Sequence, residues 1–160
     1  MNPKVIIVNG PATSGKSTFV SLCREINPDV REVSTVDKVK EIALAFGCDG
    51  IKDEKGRKLL SDLKDAIDRY DNLSLKNVAK VIDSNPDLIY MVNAREPEDI
   101  QYFVDRYNAL TVLITNNRVK QITSNHADKR VFEYHYDVTI ENNGTLEELK
   151  EKARELLRSL

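Results

Sequence analysis

The sequence predicts an α/β protein of three layers, a parallel five-stranded sheet between helices. Three observations lead there. Short β-branched runs such as "KVIIV" and "ALTVLIT" recur, bounded by Pro, Gly or Asn, as strands buried on both faces are. Between them lie longer stretches with apolar residues at helical spacing, the alternation that builds a parallel sheet. The first junction carries Gly10, four residues, Gly15, Lys16 and Ser17, a pattern whose mechanism needs a strand before it and a helix after it.

Taken in order, residues 4–8 form the first strand. A helix follows over 16–26, with Phe19, Val20, Leu22, Cys23 and Ile26 on its apolar side, and Asn27-Pro28 stops it. "REVST" (31–35) is a second strand, and a helix runs from Asp37 to about Phe46 before a break at 47–50. A long charged helical region spans about 54–83 and breaks near "DNLS". Leu59, Leu60, Leu63, Ile67 and Tyr70 make one apolar face of it, and Val78, Val81 and Ile82 another. Residues 87–92 are the third strand. The next helix places Pro97 in its first turn, with Glu98 and Asp99 complementing the dipole. Residues 109–115 are the fourth strand. The polar "NNRVKQITSNHADKRV" that follows has weak periodicity and reads as a lid. A fifth strand lies in "YDVTIENN", and Thr145 with Glu148 three residues on is a capping-box signature for a last helix lined by Leu146, Leu149, Ala153, Leu156 and Leu157.

A chain of 160 residues fits one domain with a single core. It is 41% hydrophobic and 31% charged with a net charge of −2, which predicts no general attraction to nucleic acid or to an anionic membrane. No apolar run approaches the ~20 residues that span a bilayer, and no signal-peptide layout precedes the first strand. The two cysteines, Cys23 and Cys48, lack metal or redox spacing and read as small buried residues in a reducing, cytoplasmic setting. A monomer or a homodimer is expected.

Each residue type in the Gly10–Ser17 pattern has a physical task. Gly10 and Gly15 allow close approaches that a Cβ would obstruct. The backbone N–H groups through Thr13 and Ser14, with those of the helix start through Thr18, then form an anion cradle. Lys16 brings positive charge to the β and γ phosphates, and Ser17 offers a hydroxyl to Mg²⁺. A magnesium–nucleoside triphosphate site follows, with ATP the expected nucleotide and GTP open. A GTPase would carry a base-reading Asn-Lys-x-Asp after a late strand; "TNNR" (115–118) lacks both the Lys and the Asp.

With the stretches "GPATSGKST", "STVDKVKEIA", "VNAREPED" and "DVTIENNGTLEEL", the chain resembles the nucleoside monophosphate kinase group of P-loop proteins. In detail it is similar to phage-type deoxynucleoside monophosphate kinases and dephospho-coenzyme A kinases. The resemblance implies strand order 2-3-1-4-5, an acceptor-binding helical insertion over about 37–83, and a short lid over about 117–130 that closes on ATP. The core is then 1–36, 84–116 and 131–160. It also implies an acid at Asp37 that orients an acceptor hydroxyl or approaches the metal through water; the residue reads equally as a helix cap. Arg95, directly after the third strand, is placed to grip an acceptor phosphate bidentately. Arg57 is a further acceptor contact or part of a solvated face. Arg118 and Arg130, at the two ends of the lid, are candidates to neutralise charge on the transferring phosphoryl group. Asn93 stands where many P-loop proteins carry a Walker B aspartate, and "ENNGT" (141–145) is expected beside the nucleotide base. The expected activity is phosphoryl transfer from ATP to a small phosphorylated acceptor, a (deoxy)nucleoside monophosphate. The rivals are a hydroxyl acceptor (dephospho-coenzyme A, a nucleoside, a polynucleotide 5′ end) and a nucleotide-binding regulatory module.

Overall fold

The computed structural model describes residues 2–118 and 130–160. Along the chain run β1 (Lys4–Asn9), α1 (Lys16–Ile26), β2 (Val30–Ser34), α2 (Asp37–Ala45), α3 (Glu54–Asp71), α4 (Leu73–Ser84), β3 (Ile89–Asn93), α5 (Pro97–Tyr107), β4 (Leu110–Thr115), a 3-10 turn (Val131–Glu133), β5 (Val138–Glu141) and α6 (Leu146–Arg158). The strands form one sheet in the order β2-β3-β1-β4-β5, and every pairing is parallel. The expected fold class and strand order hold.

Strand alternation divides the core in two. Ile6, Val8, Met91, Val112 and Ile114 point to one face, where Phe19, Val20 and Cys23 of α1 and Leu149, Ala153 and Leu156 of α6 cover them. Val5, Ile7, Tyr90 and Val92 point to the other, against Leu75, Val78 and Ile82 of α4 and Ile100 and Phe103 of α5. Central β1 is buried on both faces, which is why its sequence is an unbroken apolar run rather than an alternating one.

The helices between β2 and β3 are unequal. α4 buries Leu75, Val78, Ala79 and Ile82 in the sheet's second core layer, whereas α3 buries no residue completely. The break between them falls at Asn72, which adopts a left-handed conformation with φ 49°. Four residues assigned to apolar faces are exposed instead: Leu59 (41%), Tyr70 (83%), Val81 (46%) and, in the last helix, Leu146 (59%). In α4 the buried stripe runs through Leu75 and Ala79 in place of Val81, because the sheet meets the helix on the side fixed by Val78 and Ile82. Cys23 is fully buried, and burial pushes its thiol up to about 12. Cys48 is only half-buried, beyond the end of α2, where its N–H reaches the Ala43 carbonyl.

α3 is anchored by charge. Lys64 Nζ lies 2.6 Å from Asp99 of α5 and 2.9 Å from Asp68, and Asp68 also accepts from the Ser74 N–H and hydroxyl, thereby capping α4. Burial disfavours the Lys64 ammonium, but the two carboxylates outweigh it and hold its pKa above the usual value. Burial pushes the Asp99 carboxyl up despite Lys64, with the second carboxylate adding to the effect. Asp99, in the first turn of α5 as expected, is also 7% exposed and belongs to an interhelical ion cluster.

Candidate functional site

Because all five strands are parallel, their C-terminal ends share one edge, the edge where open α/β sheets bind ligands. The P-loop leaves β1 there, Asp37 follows β2, Arg95 follows β3, Arg118 follows β4 and Asn142 follows β5. Topology therefore gathers most of the residues singled out in the sequence.

The P-loop backbone is unusual in the way an anion cradle needs. Gly15 is the N-cap of α1 with φ 100°, and Thr13 adopts φ 65° although it is not glycine. A Cβ on Gly10 would overlap the Ile114 carbonyl, and one on Gly15 would overlap the Asn142 amide. Gly10 is thus required by a backbone atom in the way, and Gly15 chiefly by its left-handed φ. No side chain caps α1 and no acid occupies its first turn, so the positive end of its dipole is uncompensated by the protein. Ser14 Oγ is buried without a hydrogen-bond partner. Ser17 and Thr18 are exposed on the first turn, and Lys16 Nζ folds back to the Gly10 carbonyl at 2.6 Å. An uncapped helix start, an orphaned hydroxyl and an adjacent ammonium fit a phosphate chain. Among the described residues no group of three or more His, Cys, Asp or Glu side chains is placed to hold a metal ion. Mg²⁺ in nucleotide sites keeps several waters and takes substrate phosphate oxygens as ligands, so a cluster of that kind is not a requirement for it.

The remaining residues are distributed around this cradle. Asp37 is the first residue inside α2, behind Val36 as N-cap, and its Oδ2 accepts from the Ser34 N–H at 2.8 Å. It fastens the end of β2 rather than capping the helix. Asn93 donates to Glu32 Oε1 at 2.7 Å, so a carboxylate from the edge strand stands beside the position where an aspartate was missing. Arg95 is half-buried, with its carbonyl accepting from Asn9 Nδ2 at 3.1 Å. Arg118 is exposed and donates to the Gly144 carbonyl at 3.2 Å, and the neighbouring Asn117 N–H reaches Asn143 Oδ1. Arg130 forms a bidentate pair with Glu98, at 2.9 and 2.7 Å, and also bonds Glu133. Those bonds raise its pKa further, so it is permanently charged. Arg57 lies in the first turn of α3, and no hydrogen bond or ion pair among the described residues ties its guanidinium to the P-loop edge. The lid expected over about 117–130 falls, from 119 to 129, outside the described residues, and with it Lys120, His126 and Lys129.

Two asparagines outside the predicted site residues also reach the P-loop. Asn142, in the loop expected beside the base, donates from its Nδ2 to the Ser14 carbonyl at 3.0 Å and packs over Gly15. Asn9, the residue before Gly10, is completely buried. A polar residue ending an apolar strand was the available signal.

No protein-family model matches the sequence, and no curated protein matches it. Solved structures do match along nearly the whole chain. A Mycobacterium tuberculosis APS kinase superposes with a TM-score of 0.52 at 12% identity, covering 98% of each chain. A Janibacter sugar kinase gives 0.55 at 13%, covering 98% of this chain and 95% of that one. Shikimate kinase from Aquifex aeolicus gives 0.52 at 16%, covering 97% and 96%. The class of fold is therefore that of the P-loop kinases. At such identities the likeness is one of architecture, and the particular chemistry must come from this chain's own residues. No helix among the described residues is long and apolar enough to cross a membrane.

Proposed function

We propose that this chain is a kinase that transfers the γ-phosphoryl group of ATP, bound with Mg²⁺ at the P-loop, to a small phosphorylated acceptor, a (deoxy)nucleoside monophosphate. The observation that carries this reading is the uncapped start of α1, with Lys16 and Ser17 on it, on the same sheet edge as Arg95. Bound Mg²⁺ would neutralise phosphate charge. Thr13 to Thr18 would hold the phosphates through backbone N–H groups, and Lys16 would swing from the Gly10 carbonyl to the β and γ oxygens. Arg95 would align the acceptor phosphate, with Arg57 as a second contact. Arg118 would leave the Gly144 carbonyl to meet the transferring group, and Arg130 would join only after release from Glu98. An acceptor phosphate is already an anion, so positioning and charge neutralisation suffice without a strong base.

A second reading has Asp37 as the base for a hydroxyl acceptor. It is supported by the names of two of the matching structures, a sugar kinase and a shikimate kinase, since a sugar offers hydroxyl groups.

The test is ADP release from Mg-ATP with each ribo- and deoxynucleoside monophosphate, dephospho-coenzyme A and simple sugars, for wild type and Lys16→Ala. Stimulation by one monophosphate that Lys16→Ala abolishes is expected. Stimulation only by a hydroxyl acceptor, lost in Asp37→Asn, would replace the first reading with the second. Nucleotide binding with no acceptor-dependent turnover would point to a regulatory module.

A further inference from the structure

Asn9 ends β1, and strand alternation turns its side chain away from α1 toward the α4–α5 face. There every polar position of its amide plane is engaged. Oδ1 accepts from the Gly10 N–H at 2.9 Å, while Nδ2 donates to the Arg95 carbonyl at 3.1 Å and to the Tyr136 hydroxyl at 2.8 Å. The Tyr136 hydroxyl in turn donates a hydrogen bond to the Val131 carbonyl at 2.7 Å. Its ring is fixed edge-on by Tyr134, with centroids 5.3 Å apart. Burial pushes the phenol up to about 12, so the hydroxyl stays a donor at neutral pH.

One side chain therefore touches the first peptide of the P-loop and the backbone of Arg95 and, through one hydroxyl, the chain at Val131. An amide is the group this junction requires. Asp would supply the acceptor for Gly10 but no N–H for the Arg95 carbonyl, and an aliphatic residue would supply neither. A fully buried amide that holds three hydrogen bonds cannot turn without orphaning several groups together.

We infer that Asn9 and the Tyr136 hydroxyl are positioning residues that couple occupancy of the P-loop to the placement of Arg95. The inference rests on the kinase reading for its purpose, but its physical content is separable. Two measurements test it. The first is hydrogen exchange in peptides covering 94–97, with and without a non-hydrolysable ATP analogue and Mg²⁺. The second is acceptor KM and kcat, alongside the Kd of the analogue.

In wild type the analogue is expected to slow exchange at 94–97. Tyr136→Phe, which keeps the ring and removes only the hydroxyl that holds Asn9 Nδ2 in place, is expected to lose part of that slowing. It should raise the acceptor KM about fivefold, the scale of one neutral hydrogen bond, while changing the analogue Kd less than about twofold. Asn9→Ala should do more, and Tyr136→Phe keeps the question answerable if Asn9→Ala fails to fold. A Tyr136→Phe protein that melts lower but keeps the wild-type protection pattern and KM overturns the inference, because its role is then only structural. A wild type that turns over an acceptor while 94–97 ignore the analogue overturns it too, with the kinase reading intact. Exchange coupling without turnover on any acceptor supports the junction and removes the kinase reading instead.

Discussion

At the end of β5 the chain enters α6 through Thr145, whose hydroxyl accepts from the Glu148 N–H at 3.2 Å, with Glu147 and Glu148 in the first turn. At the end of β1 it enters α1 through Gly15, with no side-chain cap and no acid nearby. Both junctions lie at the same edge of the sheet, and both helices pack on the same face. Their chemistry is opposite. α6 satisfies its own N-terminus and gains local stability; α1 has no side-chain cap, which under the kinase proposal leaves the field of its N-terminus to an anion. α4 shows a third solution, in which Asp68 from the preceding helix reaches the Ser74 N–H. Withheld local satisfaction therefore marks the site more sharply than any single residue type does.

Mutation can break this comparison. Lys16→Ala should have the largest effect, lowering turnover about a hundredfold or more by removing charge from the transferring group, with little change in melting temperature. ADP release and a thermal melt read the two quantities separately. Gly15→Ala should come next. A non-glycine at φ 100° costs about 1–2 kcal/mol, and the new methyl overlaps the Asn142 amide, so stability and nucleotide affinity both fall. Adding Asn142→Ala should relieve the overlap but not the backbone strain, giving partial recovery in denaturant melts. Full recovery would show that the dihedral is not the constraint.

Smaller changes should sharpen it. Thr145→Ala removes the α6 cap and is expected to cost about 1 kcal/mol of stability while leaving nucleotide affinity unchanged. The mirror experiment is Thr18→Glu, which gives α1 an acid at the helix position that Glu148 occupies in α6. It should stabilise the fold by a few tenths of a kcal/mol and weaken nucleotide binding by about twofold to fivefold, the effect growing at low salt. Isothermal titration at two ionic strengths checks it. If binding is indifferent to a carboxylate in that turn, the open dipole is not what the site uses.

Much of this was legible without coordinates. The apolar run of β1, the glycine pattern, the break at Asn72 and the Thr145 cap are all local: each depends on residues within a few positions of one another, so spacing alone carries the signal. The edge that collects the P-loop, Asp37, Arg95 and Arg118 was legible too, because parallel strands place every following loop on one side. Residues whose role depends on a partner far along the chain were not. Asp99 reads as a helix-start acid until Lys64, 35 positions away, is packed against it. Val81 reads as apolar facing until the sheet selects which side of α4 is covered.

Alternating strands and helices around the Gly10–Ser17 loop follow from local sequence, since hydrophobic period, glycine conformational freedom and helix capping are properties of short stretches. What holds that loop in register comes from packing between distant parts of the chain. Asn9 meets Arg95 across 86 positions and Tyr136 across 127, and Asn142 meets Ser14 across 128. Such contacts are set by strand order and by which face each residue takes. A buried amide acquires its meaning only from the groups folding brings within hydrogen-bond reach.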